Sequence, residues 1–299
     1  MLPIESSCVL RIGRLAVLGR RLTAHLSASV VLLFMAMTMA FPLTGCTTVS
    51  GTGRTQFNFM SREQELSLGA GAYQEELADA KLVTSGPQFD MVKRVTKRVS
   101  AAAEKLHPDA TKGFTWEFRL IDAPDTINAW ALPGGKMAVY TGLFKAAKNE
   151  DQLAAVMGHE CSHAIGRHGG ERMSQQTAAQ AIMAGVGVGL SFSEMSPTAQ
   201  QATMAAFGAG SEYGVLLPFS RHQESEADEL GLFIAAEAGY DPREAVELWK
   251  NMGSIGGNKP PEWASTHPSD ETRQARLAEL MPRAMEIWKA SKKKSKKDS

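Results

Sequence analysis

Residues 158–168 read Gly-His-Glu-Cys-Ser-His-Ala-Ile-Gly-Arg-His, and the spacing H-E-x-x-H formed by His159, Glu160 and His163 decides how the rest of the chain is read. On an α-helix, residues four apart lie one above the other on the same face, so His159 and His163 offer two imidazole nitrogens to one metal ion. Glu160 follows the first histidine by one residue, which brings a carboxylate beside that ion, where it can take a proton from water. The pattern predicts metal-assisted hydrolysis. Without a third ligand downstream, the same three residues would be no more than a solvated helix face. Cys161 lies inside the motif, but two residues past His159 it points away from the ligand face and is expected to be a packed thiol.

Working outward, the motif helix is expected from about Asp151 to Gly169, with Glu150 and Asp151 favouring the positive end of its dipole. Before it, Ile127 to Tyr140 reads as two strands around a Pro133-Gly134-Gly135 turn, and Phe114 to Ile121 alternates apolar and polar like another strand. Further upstream, Ser61 with Gln64 three residues on is a capping box opening a helix to about Lys81. Pro87 to Leu106 repeats Phe89, Val92, Val95 and Val99 at helical spacing. The fold class is therefore α+β, mostly helical, with a small β-sheet beside the H-E-x-x-H helix. Downstream, residues 177 to 214 are rich in Ala, Gly and Met. A transmembrane hairpin is one reading. Ala178 to Leu190 is too short to span a bilayer, however, and Ser193-Glu194 follows, which favours close-packed helices.

The third ligand is expected on the next helix, which starts near Ser220. A catalytic zinc of this type takes two histidines, a carboxylate and an open position, and Glu224 and Asp228 stand four apart on one face of that helix. Glu224 would ligate, while Asp228 would accept the outer ring N–H of a ligand histidine, His159 by preference, and fix its tautomer. Glu226 competes for the ligand role. Two residues from Asp228, it would point away from it, which favours Glu224.

Composition bounds the partners. The 299 residues carry 32 basic and 32 acidic side chains and are 43% hydrophobic, which suits a domain with a sizeable core. The zero balance hides unlike parts: residues 1–45 hold four basic residues and one acidic, residues 289–299 six and one, and the body between them 22 and 30. An acidic body excludes nucleic acid as the expected partner. Arg11, Arg14, Arg20 and Arg21 precede an apolar run from about Leu26 to Phe41 that ends in Leu43-Thr44-Gly45-Cys46, the pattern of a bacterial lipoprotein signal with lipidation on Cys46. With Cys8 removed and Cys46 lipidated, Cys161 would be left as a single thiol. The domain expectation is thus a signal peptide over 1–45, a lipidated Cys46 and flexible tether over 46–60, a catalytic domain over 61–288 and a basic disordered tail over 289–299.

Four blocks in order make a resemblance specific: NAWALPGGKMAVYTGL at 128–143, EDQLAAVMGHECSHAIGRH at 150–168, SRHQESEADELG at 220–231 and THPSDETRQARL at 266–277. The chain resembles the family-48 zinc metallopeptidases. The resemblance implies a zincin-like fold, one zinc per chain on His159, His163 and Glu224, Glu160 as general base, and Asp228 behind a ligand histidine. It also implies that Asn128 lies by the substrate backbone, and that His267 either stabilises the oxyanion or occupies the open zinc position in a latent state. The substrate would lie extended beside the Met137 to Tyr140 edge. The membrane-embedded members carry several long apolar helices, which this chain lacks after residue 46. That implies the lipoprotein branch: a chain anchored through lipid on Cys46, at the bacterial outer membrane, facing the periplasm. The expected partners are unfolded or misassembled envelope polypeptides; the alternative is a proteolytically silent relative acting as a chaperone or binding module.

Overall fold

In the computed structural model, which describes residues 46–211, 217–255 and 271–295, the first helix starts where its capping box predicts. Ser61 accepts a hydrogen bond from the Gln64 amide, and the Gln64 side chain accepts one from the Ser61 amide, opening α1 at Arg62–Leu77. Helix α2, Pro87–Leu106, begins with a proline, whose missing N–H costs nothing in a first turn. Its Val92, Val95 and Val99 are completely buried. Each such side chain contributes about 1.5–3 kcal/mol relative to exposure, so this stripe fixes the face that α2 presents to the core.

The sheet that α2 covers has the order β3-β4-β6-β5, from Leu82–Val83, Glu117–Ile121, Lys136–Tyr140 and Ala129–Leu132 respectively. β5 and β6 are antiparallel around the predicted turn, where Gly134 and Gly135 take φ of 92° and 80°, values costly for a residue with a Cβ. β4 pairs with β6 in parallel, with Glu117 opposite Lys136 and Ile121 opposite Tyr140. This pairing corrects the expected substrate edge. β6 has a neighbour on both sides, so among the described residues the edge strand at this end of the sheet is β5, which Asn128 directly precedes.

Past a 3₁₀ turn at Thr141–Lys145, the motif helix α3 spans Glu150–Ile165. Asn149 caps it, its side chain accepting from the Gln152 amide at 2.8 Å. The sequence reading runs this helix on to Gly169, but it stops four residues sooner because Arg167 adopts φ 57° and turns the chain. Helix α4, His168–Ser191, follows at once; then come α5 at Pro197–Ser211, α6 at Leu217–Glu237, α7 at Glu244–Ser254 and α8 at Glu271–Ser295.

Helix α3 packs most extensively against α6. The two backbones touch through a pair of glycines: a Cβ on Gly158 would lie 2.6 Å from the Gly231 carbonyl oxygen, and one on Gly231 2.6 Å from the His159 nitrogen. Overpacking such a contact typically costs about 1–3 kcal/mol. The close approach also positions the site, since His159 follows one glycine and Asp228 precedes the other by three residues.

The described residues divide into two compact units, one holding residues 46–176, 217–255 and 271–295, the other residues 177–211. In the second, residues 177–211 form a helical pair in which the Met204 methyl lies over Gly187 and the Met183 methyl over Gly208. Among the described residues no helix is long and apolar enough to cross a membrane.

Two expectations about the ends need correction. Residues 46–60 are not a tether: β1, Cys46–Thr48, pairs antiparallel with β2, Thr55–Phe57, and Val49, Gln56 and Asn58 are buried. Six residues of glycine-rich turn are short enough to close a hairpin once its side chains find partners on the body. The lysine-rich end is not disordered from residue 289 either, because α8 continues to Ser295 with Lys292, Lys293 and Lys294 in its last turn, where cations complement the helix dipole. The apolar run at 26–41 and Thr266-His267-Pro268 lie outside the described residues.

Candidate metal centre

Helices α3 and α6 bring His159, His163 and Glu224 together, all buried. His159 Nε2 lies 3.1 Å from His163 Nε2 and 3.3 Å from Glu224 Oε2, and His163 Nε2 lies 3.4 Å from Glu224 Oε1. Donor atoms at about 2.0–2.1 Å from one tetrahedral centre are spaced about 3.3–3.4 Å apart. The histidine pair and each histidine's nearer Glu224 oxygen lie close to that spacing, and one donor atom from each residue falls within 4.8 Å of the other two, so the donor set suits a zinc ion. Glu160 is the next residue along α3 from His159 and is buried.

The outer nitrogens of the two histidines are held differently. His159 Nδ1 lies 2.9 Å from Asp228 Oδ1, so the carboxylate accepts the Nδ1–H and leaves Nε2 to face the cluster. Burial alone would push the His159 imidazole down, but hydrogen bonds to Asp228 and Glu224 outweigh it and raise the ring to about 9. The same carboxylates that favour a proton on this ring favour a cation beside it. Behind the pair, a cavity of about 20 Å³ is walled by Leu232, Leu248, Trp249 and Leu277, an apolar backing that strengthens the contact.

His163 Nδ1 instead meets another imidazole, His168 Nδ1, at 2.8 Å. His168 is 1% exposed, and its Nε2 lies 3.0 Å from Glu226 Oε2. Burial pushes its pKa down despite Glu226, which favours the neutral ring that this chain of hydrogen bonds requires. Glu226 is thus turned to His168, Arg54 and Thr52, outside the His159, His163 and Glu224 cluster. Burial would raise its carboxyl, but hydrogen bonds from His168, Arg54 and Thr52 hold it down at about 2. Arg54 donates from Nε to Glu226 at 2.9 Å and forks onto Glu171, Nη1 and Nη2 each at 2.8 Å. Glu171 is completely buried and also accepts from Gln223 at 2.8 Å.

Asn128 lies at the start of the edge strand: its carbonyl accepts from the Tyr140 amide at 3.1 Å and its side chain from the Ala129 amide at 2.9 Å. Cys161 is completely buried, and desolvation with Glu160 nearby pushes its thiol up, as expected of a packing residue. Cys46 is exposed at the start of β1. His267 lies outside the described residues. Sequence reasoning passed over His168, Arg54 and Glu171. His168 closes the quoted stretch itself, and a third histidine five residues past His163 was the available signal.

Residues 88–281 match the sequence family described as peptidase family M48. The chain belongs to peptidase family M48. It is 34% identical over 238 residues to the mitochondrial metalloendopeptidase OMA1 of Schizosaccharomyces pombe, covering 78% of this chain and 66% of that one. The zebrafish (Danio rerio) mitochondrial metalloendopeptidase OMA1 is 31% identical across 90% of this chain and 56% of its own length. The β-barrel assembly-enhancing protease of Escherichia coli is 28% identical across 76% and 46%. The M48 chain thus spans less than two thirds of the length of these relatives.

These relatives overturn the address expected from the N-terminus. OMA1 proteins from yeasts, a plant and vertebrates are mitochondrial by name, so an outer-membrane lipoprotein facing the periplasm is not upheld. The physical reason lies in composition. Four arginines against one acidic residue in residues 1–45 fit an organellar transit peptide as well as an export signal.

Proposed function

We propose that this M48 chain is a zinc-dependent endopeptidase acting on extended segments of unfolded or misassembled polypeptides. The observation that carries the reading is the cluster of His159, His163 and Glu224, whose donor atoms lie within 4.8 Å of one another, with Glu160 adjoining it on the same helix. When bound, zinc supplies Lewis acidity and lowers the pKa of water toward about 7. Glu160 takes the proton of the attacking water and returns it to the amine that leaves. Asp228 keeps the His159 ring in one tautomer and orientation throughout.

The substrate backbone adds to the open edge of β5, Ala129–Leu132, a strand against which α3 also packs. Asn128, at the entrance to that edge, steadies the incoming chain. Recognition through main-chain hydrogen bonds makes few demands on side chains, which suits substrates defined by being unfolded rather than by sequence.

The test is Glu160→Gln. The variant should keep one zinc per chain by elemental analysis while cleavage of casein falls by at least about 10²-fold, the lower range for loss of a positioned general base. Cleavage at the parental rate would overturn the mechanism. Unchanged zinc with no cleavage in either protein would favour a silent binding module.

A further inference from the structure

The relay that runs from His163 through His168 and Glu226 to Arg54 uses, beyond His163 itself, no residue of the ligand set or of the hydrolytic machinery, and its hydrogen bonds run in one direction without a conflict. With His163 Nε2 turned to the metal cluster, its Nδ1 carries the hydrogen and donates to His168 Nδ1 at 2.8 Å. That leaves His168 Nε2 as a donor, and it meets Glu226 Oε2 at 3.0 Å. Glu226 in turn is held on both oxygens, Oε2 by Arg54 and Oε1 by the Thr52 hydroxyl. Both of these residues belong to the β1–β2 hairpin, more than a hundred residues before the motif. Arg54 is itself fixed by its fork onto the buried Glu171.

From this geometry we propose that the N-terminal hairpin is a clamp on the metal centre. Arg54 is a positioning residue that acts through Glu226 and His168 to lock the ring of His163, so that a seated hairpin sets how tightly the metal is held. The proposal rests on the reading of His159, His163 and Glu224 as the zinc ligands. Its chemistry is that of an outer partner on a ligand histidine: a fixed tautomer, a fixed ring plane and a more basic ligand nitrogen. Arg54 also places a fixed cation between two buried carboxylates, Glu171 and Glu226, keeping both as acceptors. A hairpin that merely covered hydrophobic surface would need none of these polar contacts.

The experiment measures the zinc dissociation constant of the full chain by competition with a chromophoric chelator, alongside the visible absorption of the cobalt-substituted protein. Arg54→Met and His168→Gln should each weaken zinc about 10- to 100-fold, the usual range for an outer partner of a ligand, and each should shift the cobalt bands. Because Arg54 acts through His168, the double variant should be no weaker than His168→Gln alone. Losses that multiply in the double variant, or zinc affinity within threefold of the parent in Arg54→Met, overturn the clamp. Should Arg54→Met not fold, Arg54→Lys keeps the cation and loses the fork, and the same comparison with His168→Gln is made on it. The two readings separate cleanly. If Glu224→Ala does not abolish zinc binding, the ligand assignment fails and the clamp with it; if Glu224→Ala does and Arg54 variants have no effect, only the clamp fails.

Discussion

The two histidines of the motif sit on one face of one helix, but the structures behind them are unlike. Behind His159 stands a short arm: Asp228, on the helix that also supplies Glu224. Behind His163 stands a long arm through His168 and Glu226 to Arg54 in the first hairpin. The short arm is built from contacts between two helices whose backbones touch at Gly158 and Gly231, so one packing event makes it. The long arm requires a segment more than a hundred residues upstream to fold back. A metal site can thus be half local and half dependent on the most distant part of the domain, and the two halves should fail in different ways.

The largest expected effect removes the point where the arms meet. Glu224→Ala should lose zinc altogether by elemental analysis, and peptidase activity with it. Glu226→Ala, cutting only the long arm, should retain zinc at saturating metal with affinity reduced about 10- to 100-fold. The reverse pattern would move the ligand to Glu226 and erase the contrast. Next in size is Asp228→Ala. An ionised acceptor makes hydrogen bonds roughly twice as strong as a neutral one, so cutting the short arm should cost about 100-fold in zinc affinity, near the top of the usual range. The neutral ring of His168 should account for a smaller loss, about tenfold, in a His168→Gln chain measured side by side. An equal or larger loss from His168→Gln would show that arm length, not acceptor charge, sets the strength.

The smallest effect concerns the far end of the long arm. The hairpin turn lies over His107, with Ser50 Oγ 3.4 Å from its Nδ1, and burial lowers the His107 pKa below its ordinary value of 6.5. A depressed histidine contributes stability that is present above about pH 6.5 and is lost as pH falls toward its folded-state value. With zinc saturating, protection of the Val49 and Gly53 amides from hydrogen exchange should therefore fall between pH 7 and pH 5, by no more than about tenfold. His107→Gln should flatten that dependence. Constant protection across the range would uncouple His107 from hairpin seating.

The same contrast separates what is legible in the sequence from what is not. Everything on the short arm follows from helical period: His159 and His163 four apart, and Glu224 and Asp228 four apart. The starts of α1 and α2 are legible too, from a capping box and a proline. The Pro-Gly-Gly turn between β5 and β6 is equally legible, because its backbone demands those residues. The long arm is illegible for the opposite reason. Strands of three residues are too short to show alternation, and a segment rich in Gly, Ser and Thr carries a tether's composition whether or not it is docked. Arg54 becomes informative only once Glu171 and Glu226 are known to be buried beside it. The identity of the edge strand is of the same kind, since it depends on β4 pairing with β6 rather than on anything local to residues 129–140.

Arg167 joins the motif helix to the helix that begins with His168, and its backbone is left-handed while its guanidinium binds Glu65 at 2.7 Å and the Met60 carbonyl at 2.7 Å. Over evolutionary time such a position is held from two sides. Glycine or asparagine would relieve the backbone but leave the buried Glu65 carboxylate with the neutral Asn58 amide and without the Arg167 charge, whereas lysine would keep a charge but lose the fork and the strain would stay. Neither replacement is neutral on its own. Replacing Arg167 should therefore cost less stability in a chain where Glu65 is also neutral, so that two residues a hundred positions apart act as one unit.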